Sequence, residues 1–212
     1  MSFLKSPDSI EKKSFEIIQK ELGPRPWTEA ETKIITRIIH TTADFSFADL
    51  TELSPGVVES AVSSLRAGCG IVTDTNMAKA GINKNLLAKL GSQVACFIDS
   101  PEVEKEAQSL GITRAMVAMR VAAQDPRNRI FAVGNAPTAL FELIALYEKS
   151  EIRPAAVIGV PVGFVGAAEA KEALRNTSIP YVVTRGRKGG SNVAAAVVNA
   201  LMLLALKEGI VP

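Results

Sequence analysis

The stretch RIFAVGNAPTALFELIALYEK, residues 129–149, decides the fold. Its opening run, RIFAVG, is apolar and strand-like and ends at Gly134; from Asn135 onward the chain reads as a helix. The same unit recurs on both sides. GIVTD (70–74) precedes the short helices TNMAKAG and NKNLLAKLG, and QVACFID (93–99) precedes SPEVEKEAQSLG and TRAMVAMRVAAQ. PAAVIGVPVG (154–163) leads to AAEAKEALRN, and PYVVTRG (180–186) leads to SNVAAAVVNALMLLAL. Strands alternating with helices predict an α/β fold: a mostly parallel sheet with helices on both faces, in a single domain spanning 1–212.

Three helices are expected ahead of the first strand. DSIEKKSFEIIQKEL (8–22) places Ile10, Phe15, Ile18 and Leu22 on one face and stops at Gly23-Pro24. TEAETKIITRIIH (28–40) opens with Thr28 and Glu31 as a capping box. SPGVVESAVSSLRAG (54–68) has Ser54 as cap, Pro55 at the first helical position and Gly68 as stop.

Composition narrows the function classes. The chain has 212 residues, 47% of them hydrophobic and 5% aromatic, which suits buried parallel strands better than a β-sandwich. Lys and Arg total 24 against 22 Asp and Glu, so bulk charge gives no reason to expect nucleic acid or an anionic membrane as partner. Cys69 and Cys96 sit in apolar strand-like runs and read as reduced thiols, which fits a cytoplasmic protein. The N-terminal MSFLKSPDSIEKKSF lacks the pattern of a secretory signal. GGSNVAAAVVNALMLLAL (189–206), broken by Asn192 and Asn199, is short for a bilayer span and reads as a buried helix and a candidate subunit interface.

In parallel α/β sheets ligands bind beyond the carboxyl ends of the strands. Asp74, Asn76, Asn135, Thr138, Arg185, Arg187, Lys188, Ser191 and Asn192 would lie on that rim. Glycines 159, 163 and 166 do not match the dinucleotide fingerprint, and GRKGGSN (186–192) is not a phosphate loop. Three uses remain open for these glycines: a phosphate cradle, tight turns with close helix–strand packing, or carboxylate binding at helix N-termini. His40, the only histidine, follows an apolar helical run. It is either a proton carrier or a polar residue at a helix end, where its cation favours the helix dipole.

SFEII (14–18), RIIHTTADF (37–45), TDTNMAKAGINK (73–84), GITRAM (111–116), GNAPTALFEL (134–143), AAVIGVPVGFVGAAEAKEAL (155–174) and PYVVTRGRKGGSNVAAAVVNALM (180–202) together resemble the precorrin-8X methylmutases, also called cobalt-precorrin-8 methylmutases, of cobalamin biosynthesis. The resemblance runs from about residue 8 to about 206. It implies an isomerase that moves a methyl group from C-11 to C-12 of a corrin-ring precursor by a [1,5]-sigmatropic shift. The product is hydrogenobyrinate, or cobyrinate when cobalt is present. It also implies no cofactor, no catalytic metal and a homodimer.

His40 in R-x-x-H matches the family's proton-transferring histidine. Arg114 in GITRAM matches its substrate-binding arginine, and Ser14 its serine near the substrate. Arg37, three residues before His40, shares its helical face and is a candidate for a substrate carboxylate. Asn83 stands where some members have threonine and either holds the ring or caps the next helix. Asn135 and Lys188 are candidates from the rim alone. Thr41, Thr42 and Asp44 orient His40, or Thr41 simply ends its helix. The alternatives to an enzyme are a non-catalytic corrin-binding carrier and, from the α/β pattern only, a nucleotide-binding regulatory module.

Overall fold

A computed structural model describes residues 6–207. The chain begins with α1 (Pro7–Leu22), α2 (Glu29–Thr42), the single turn α3 (Phe47–Leu50), β1 (Thr51–Leu53) and α4 (Val57–Arg66). It continues through β2 (Gly70–Thr73), α5 (Asn76–Gly81), α6 (Lys84–Leu90), β3 (Gln93–Ala95), α7 (Pro101–Leu110) and α8 (Arg114–Ala123). The last elements are β4 (Asn128–Val133), α9 (Pro137–Glu148), β5 (Ala156–Gly159), α10 (Ala167–Arg175), β6 (Tyr181–Thr184) and α11 (Ser191–Leu206).

Six strands form one sheet in the order β1-β6-β5-β4-β2-β3, parallel except for β1, which runs antiparallel to β6. Side chains alternate across it. Ile71, Ile130, Ala132, Ile158 and Val182 join one core with α2, α4 and α11. Val72, Phe131, Val133, Val157 and Val183 join the other with α8, α9 and α10. Helices therefore cover both faces, as the alternating pattern predicts. Each fully buried aliphatic or aromatic side chain contributes about 1.5–3 kcal/mol by leaving water.

Four local readings are corrected. The sequence reading contained no strand at 51–53; Thr51 pairs with Thr184, Glu52 with Val183 and Leu53 with Val182. Ser54 does not cap α4 but prolongs this pairing. Its hydroxyl accepts from the Tyr181 N–H (2.8 Å), and its own N–H donates to the Tyr181 carbonyl (3.0 Å). The helix starts later, with Gly56 at φ 76° as its N-cap. QVACFID contributes only three residues to the sheet. Ile10 is left largely exposed, while Ile18 carries the buried face of α1.

The Thr28–Glu31 capping box forms as expected: the Thr28 hydroxyl accepts from the Glu31 N–H (3.2 Å), and the Glu31 carboxylate accepts from the Thr28 N–H (2.7 Å). α11 is enclosed by α2, α4, α5, α6 and the sheet, with 12 of its 16 residues buried. Both cysteines are free thiols, Cys69 buried and Cys96 partly exposed. Among the described residues, no helix is long and apolar enough to cross a membrane.

Candidate active site

The chain leaves β2 toward β3 on one side and leaves β4 toward β5 on the other, so the crevice between β2 and β4 is the topological switch point of the sheet. Asp74 lies there, directly after β2 and 1% exposed. Its carboxylate accepts from three successive backbone N–H groups after β4: Gly134 (2.9 Å), Asn135 (2.8 Å) and Ala136 (2.7 Å). Burial pushes its pKa above the usual carboxylate range, against the opposing pull of those donors. The anion seat at the start of α9 is thus filled from within the protein.

Of the glycines singled out, Gly159 and Gly189 serve close approach and Gly166, at φ 77°, a turn, which is the second of their three open uses; Gly134 packs as closely. A Cβ on Gly134 would lie 2.6 Å from the Ser191 Cα, one on Gly189 2.0 Å from the Val160 carbonyl oxygen, and one on Gly159 2.7 Å from Leu174. The loops after β4, β5 and β6 consequently interlock. Across them, the Ser191 and Thr75 hydroxyls are hydrogen-bonded at 2.8 Å.

The loop after β6 reaches the end of α2. Lys188 Nζ donates to Asp44 Oδ2 (2.6 Å) and Ser46 Oγ (2.8 Å). The hydrogen bond from Lys188, reinforced by Ser46, holds the Asp44 pKa down to about 2. The Lys188 carbonyl accepts from Thr184 Oγ1 (2.7 Å) and from Lys171 Nζ (2.9 Å). Lys171 is 1% exposed, and burial pushes its ammonium pKa down to about 8.

His40 is exposed in the last turn of α2, which runs on to Thr42 and ends at Ala43 in the left-handed conformation (φ 51°). Its ring stacks on Phe15 of α1, with centroids 5.0 Å apart and planes at 23°. The Arg37 guanidinium lies 4.8 Å from the centroid of that same ring and pairs with Glu11 (2.6 Å). Ser14, next to Phe15, donates to the Ile10 carbonyl (2.9 Å). Arg37 and His40 are therefore brought together on Phe15, and Ser14 adjoins that ring in sequence, its hydroxyl turned back to its own helix. Thr42 donates to the Ile38 carbonyl and Asp44 is taken up by Lys188; neither is hydrogen-bonded to His40, whose orientation comes from Phe15.

Arg114 opens α8, exposed and with no ion pair or hydrogen bond from its side chain among the described residues. Thr113 caps that helix by accepting from the Met116 N–H (3.3 Å), and its hydroxyl is 2.9 Å from that of Thr138 on α9. Arg114 and Asn135 thus share one corner of the rim. Asn83 caps α6, its side chain accepting from the Asn85 and Leu86 N–H groups (2.9 and 3.1 Å). Its own N–H donates to Asn199 Oδ1 (2.9 Å), which explains a polar residue within the apolar run of α11.

Sequence reasoning did not identify Phe15, Lys171 or the anchoring role of Asp74. Asp74 was legible as a rim position, and Phe15 as a helical neighbour of Ser14. Nothing local marked Lys171. The hollow of about 480 Å³ between Gly70, Gly91 and Arg127 lies at the opposite edge, by the start of β2, and contains none of these residues.

The precorrin-8X methylmutase family model matches residues 9–204. The chain is 48% identical to the cobalt-precorrin-8 methylmutase of Salmonella typhimurium over 95% of this chain and 97% of that protein. It is 43% identical to the one from Priestia megaterium over 94% and 88%. The crystal structure of precorrin-8X methylmutase from Thermus thermophilus superposes with a TM-score of 0.87 at 40% identity, covering 93% of this chain and 96% of that one. With six strands in this order and the matched stretch spanning nearly all of the described residues, the chain belongs to the precorrin-8X methylmutase family.

Proposed function

We propose that this isomerase of cobalamin biosynthesis moves the methyl group from C-11 to C-12 of precorrin-8X or its cobalt form, with His40 as the acid–base group. The observation that carries this reading is the His40–Phe15–Arg37 stack: the chain's one imidazole, exposed and held by an aromatic face rather than buried in the core. The rearrangement exchanges no atoms with a second reactant. The protein must hold the ring and move a proton, which draws π density from the bond to the migrating methyl. Proton transfer by a positioned side chain contributes about 10²–10⁴-fold.

The substrate's acetate and propionate arms call for cations. Arg114 is free to take a carboxylate bidentately, and Arg37 and Lys188 would exchange Glu11 and Asp44 for substrate carboxylates. Ser14, Asn83 and Asn135 supply hydrogen bonds, Asn83 through the amide nitrogen that its capping role leaves over. The Salmonella typhimurium and Priestia megaterium relatives, at 48% and 43% identity, bear the cobalt name, and the Thermus thermophilus protein, at 40%, does not, which favours the cobalt-containing substrate. The working form is a cytoplasmic homodimer; the exposed apolar loop of Val162, Phe164 (82% exposed) and Val165 (89%) supports a subunit contact.

Incubating the purified protein with cobalt-precorrin-8 and metal-free precorrin-8X side by side tests the proposal. Appearance of the corrin chromophore of cobyrinate or hydrogenobyrinate is the expected result. Tight binding of unchanged substrate would instead identify a carrier.

A further inference from the structure

The switch-point crevice of an open α/β sheet is where a ligand's anionic group usually meets free backbone N–H groups. Here that place is taken by a side chain from the protein. Asp74, 1% exposed, satisfies the N–H groups of Gly134, Asn135 and Ala136 at 2.7–2.9 Å. Those three residues are the turn that aims the Asn135 side chain outward and sets the start of α9 at Pro137. One residue further on, the Thr138 hydroxyl bonds to that of Thr113, the N-cap of α8, whose first residue is Arg114. Asp74 thus holds the backbone of Asn135 directly, and the short covalent step to Thr138 followed by the Thr138–Thr113 hydrogen bond ties the same turn to the start of α8, where Arg114 stands.

We propose that Asp74 is the positioning residue of the substrate rim: its carboxylate occupies the anion seat at the β2–β4 switch point and orients Asn135 and Arg114 toward the macrocycle's arms. The reading rests on the function proposed above. Two consequences follow from the geometry. A substrate carboxylate is excluded from the backbone seat and must be held by side-chain cations instead. The corner also depends on an anion in the crevice, because removing it leaves three N–H donors unpaired, that of Gly134 buried, and the turn loses its template.

The test uses the full chain acting on its corrin substrate. Asp74→Asn keeps the shape but sets an amide NH2 against one of the N–H donors. The variant is expected to fold, to raise KM about 10-fold or more, and to leave kcat within about 3-fold, since a lost charged hydrogen bond acts here on binding. Asn135→Ala should weaken binding in the wild-type background and cost nothing further beside Asp74→Asn, because coupled sites are non-additive. In Asp74→Ala, added formate should restore KM in a saturable manner.

Thr138→Val, which cuts the link to Thr113 while leaving Asp74 in place, should raise KM and be non-additive with Arg114→Ala; should the Asp74 variants fail to fold, an unchanged KM in Thr138→Val overturns the proposal. An active wild type with unchanged KM in Asp74→Asn, or fully additive pairs, overturns the proposal while leaving the methylmutase reading standing. A wild-type protein that converts no substrate overturns that reading itself.

Discussion

The imidazole of His40 stacks on the phenyl ring of Phe15, centroids 5.0 Å apart, and the Arg37 guanidinium covers the same ring at 4.8 Å. Helix α1 thereby places an apolar, polarisable platform under the only imidazole of the chain. His40 makes no hydrogen bond from its side chain among the described residues, so both ring nitrogens remain available to a substrate.

Replacing His40 by alanine should leave the protein folded and able to bind the macrocycle, since its side chain is exposed and the cations of the rim are untouched. Turnover should fall by at least ~10²-fold. A steady-state assay with a thermal melt checks both halves. Near-normal turnover in the folded variant would remove His40 from the mechanism.

Phe15→Leu retains an apolar side chain but loses the aromatic face. A stacked aromatic pair is worth about 0.5–1.5 kcal/mol beyond burial, so turnover should fall about 2- to 10-fold. The double variant Phe15→Leu with His40→Ala should be no slower than His40→Ala alone. A further loss in the double variant would show that Phe15 acts on something other than His40.

Arg114→Ala should weaken affinity for the corrin product by about 10- to 150-fold, the value of a lost charged hydrogen bond, with a smaller effect on the reaction of bound substrate. Spectroscopic titration with cobyrinate measures it. Unchanged affinity would assign the arm contact to another cation.

Lys171 predicts a pH signature in stability. Its ammonium pKa drops from 10.5 unfolded to about 8 folded because burial disfavours the charge. The folded state therefore binds the proton less readily than the unfolded chain, and stability contributed by this group is lowest below pH 8 and rises between pH 8 and 10.5. Urea unfolding of the wild type and Lys171→Met across that range should show the wild type gaining on the variant as pH rises. Parallel curves would mean that Lys171 stays fully charged in the fold.

The alternation of strands and helices was legible because each unit carries its own signals: an apolar run, a glycine or proline break, a capping residue. Thr28 with Glu31 is a local event, within three residues, and the local pattern is enough to place it. The proximity of Arg37 to His40 follows likewise from helical spacing. The short β1 was not legible. Three residues with no periodicity of their own become a strand only because β6, more than a hundred residues later, offers them a ladder. Ser54 shows the same limit: its place before Pro55 suggested a cap, and its hydroxyl went to Tyr181 instead.

By itself, the sequence determined an α/β sheet covered on both faces, a family resemblance, and a histidine and an arginine on one helical turn, because each of these is written in local patterns and residue identities. Only the tertiary structure decided which charges work beneath the rim. Asp74 finds its donors 60 to 62 positions away, Lys171 meets the Lys188 carbonyl 17 away, and Lys188 reaches Asp44 across 144 residues. Those pairings exist because the strand order sets β4 beside β2 and brings the loop after β6 to the end of α2, and strand order is settled by long-range packing that no local stretch encodes.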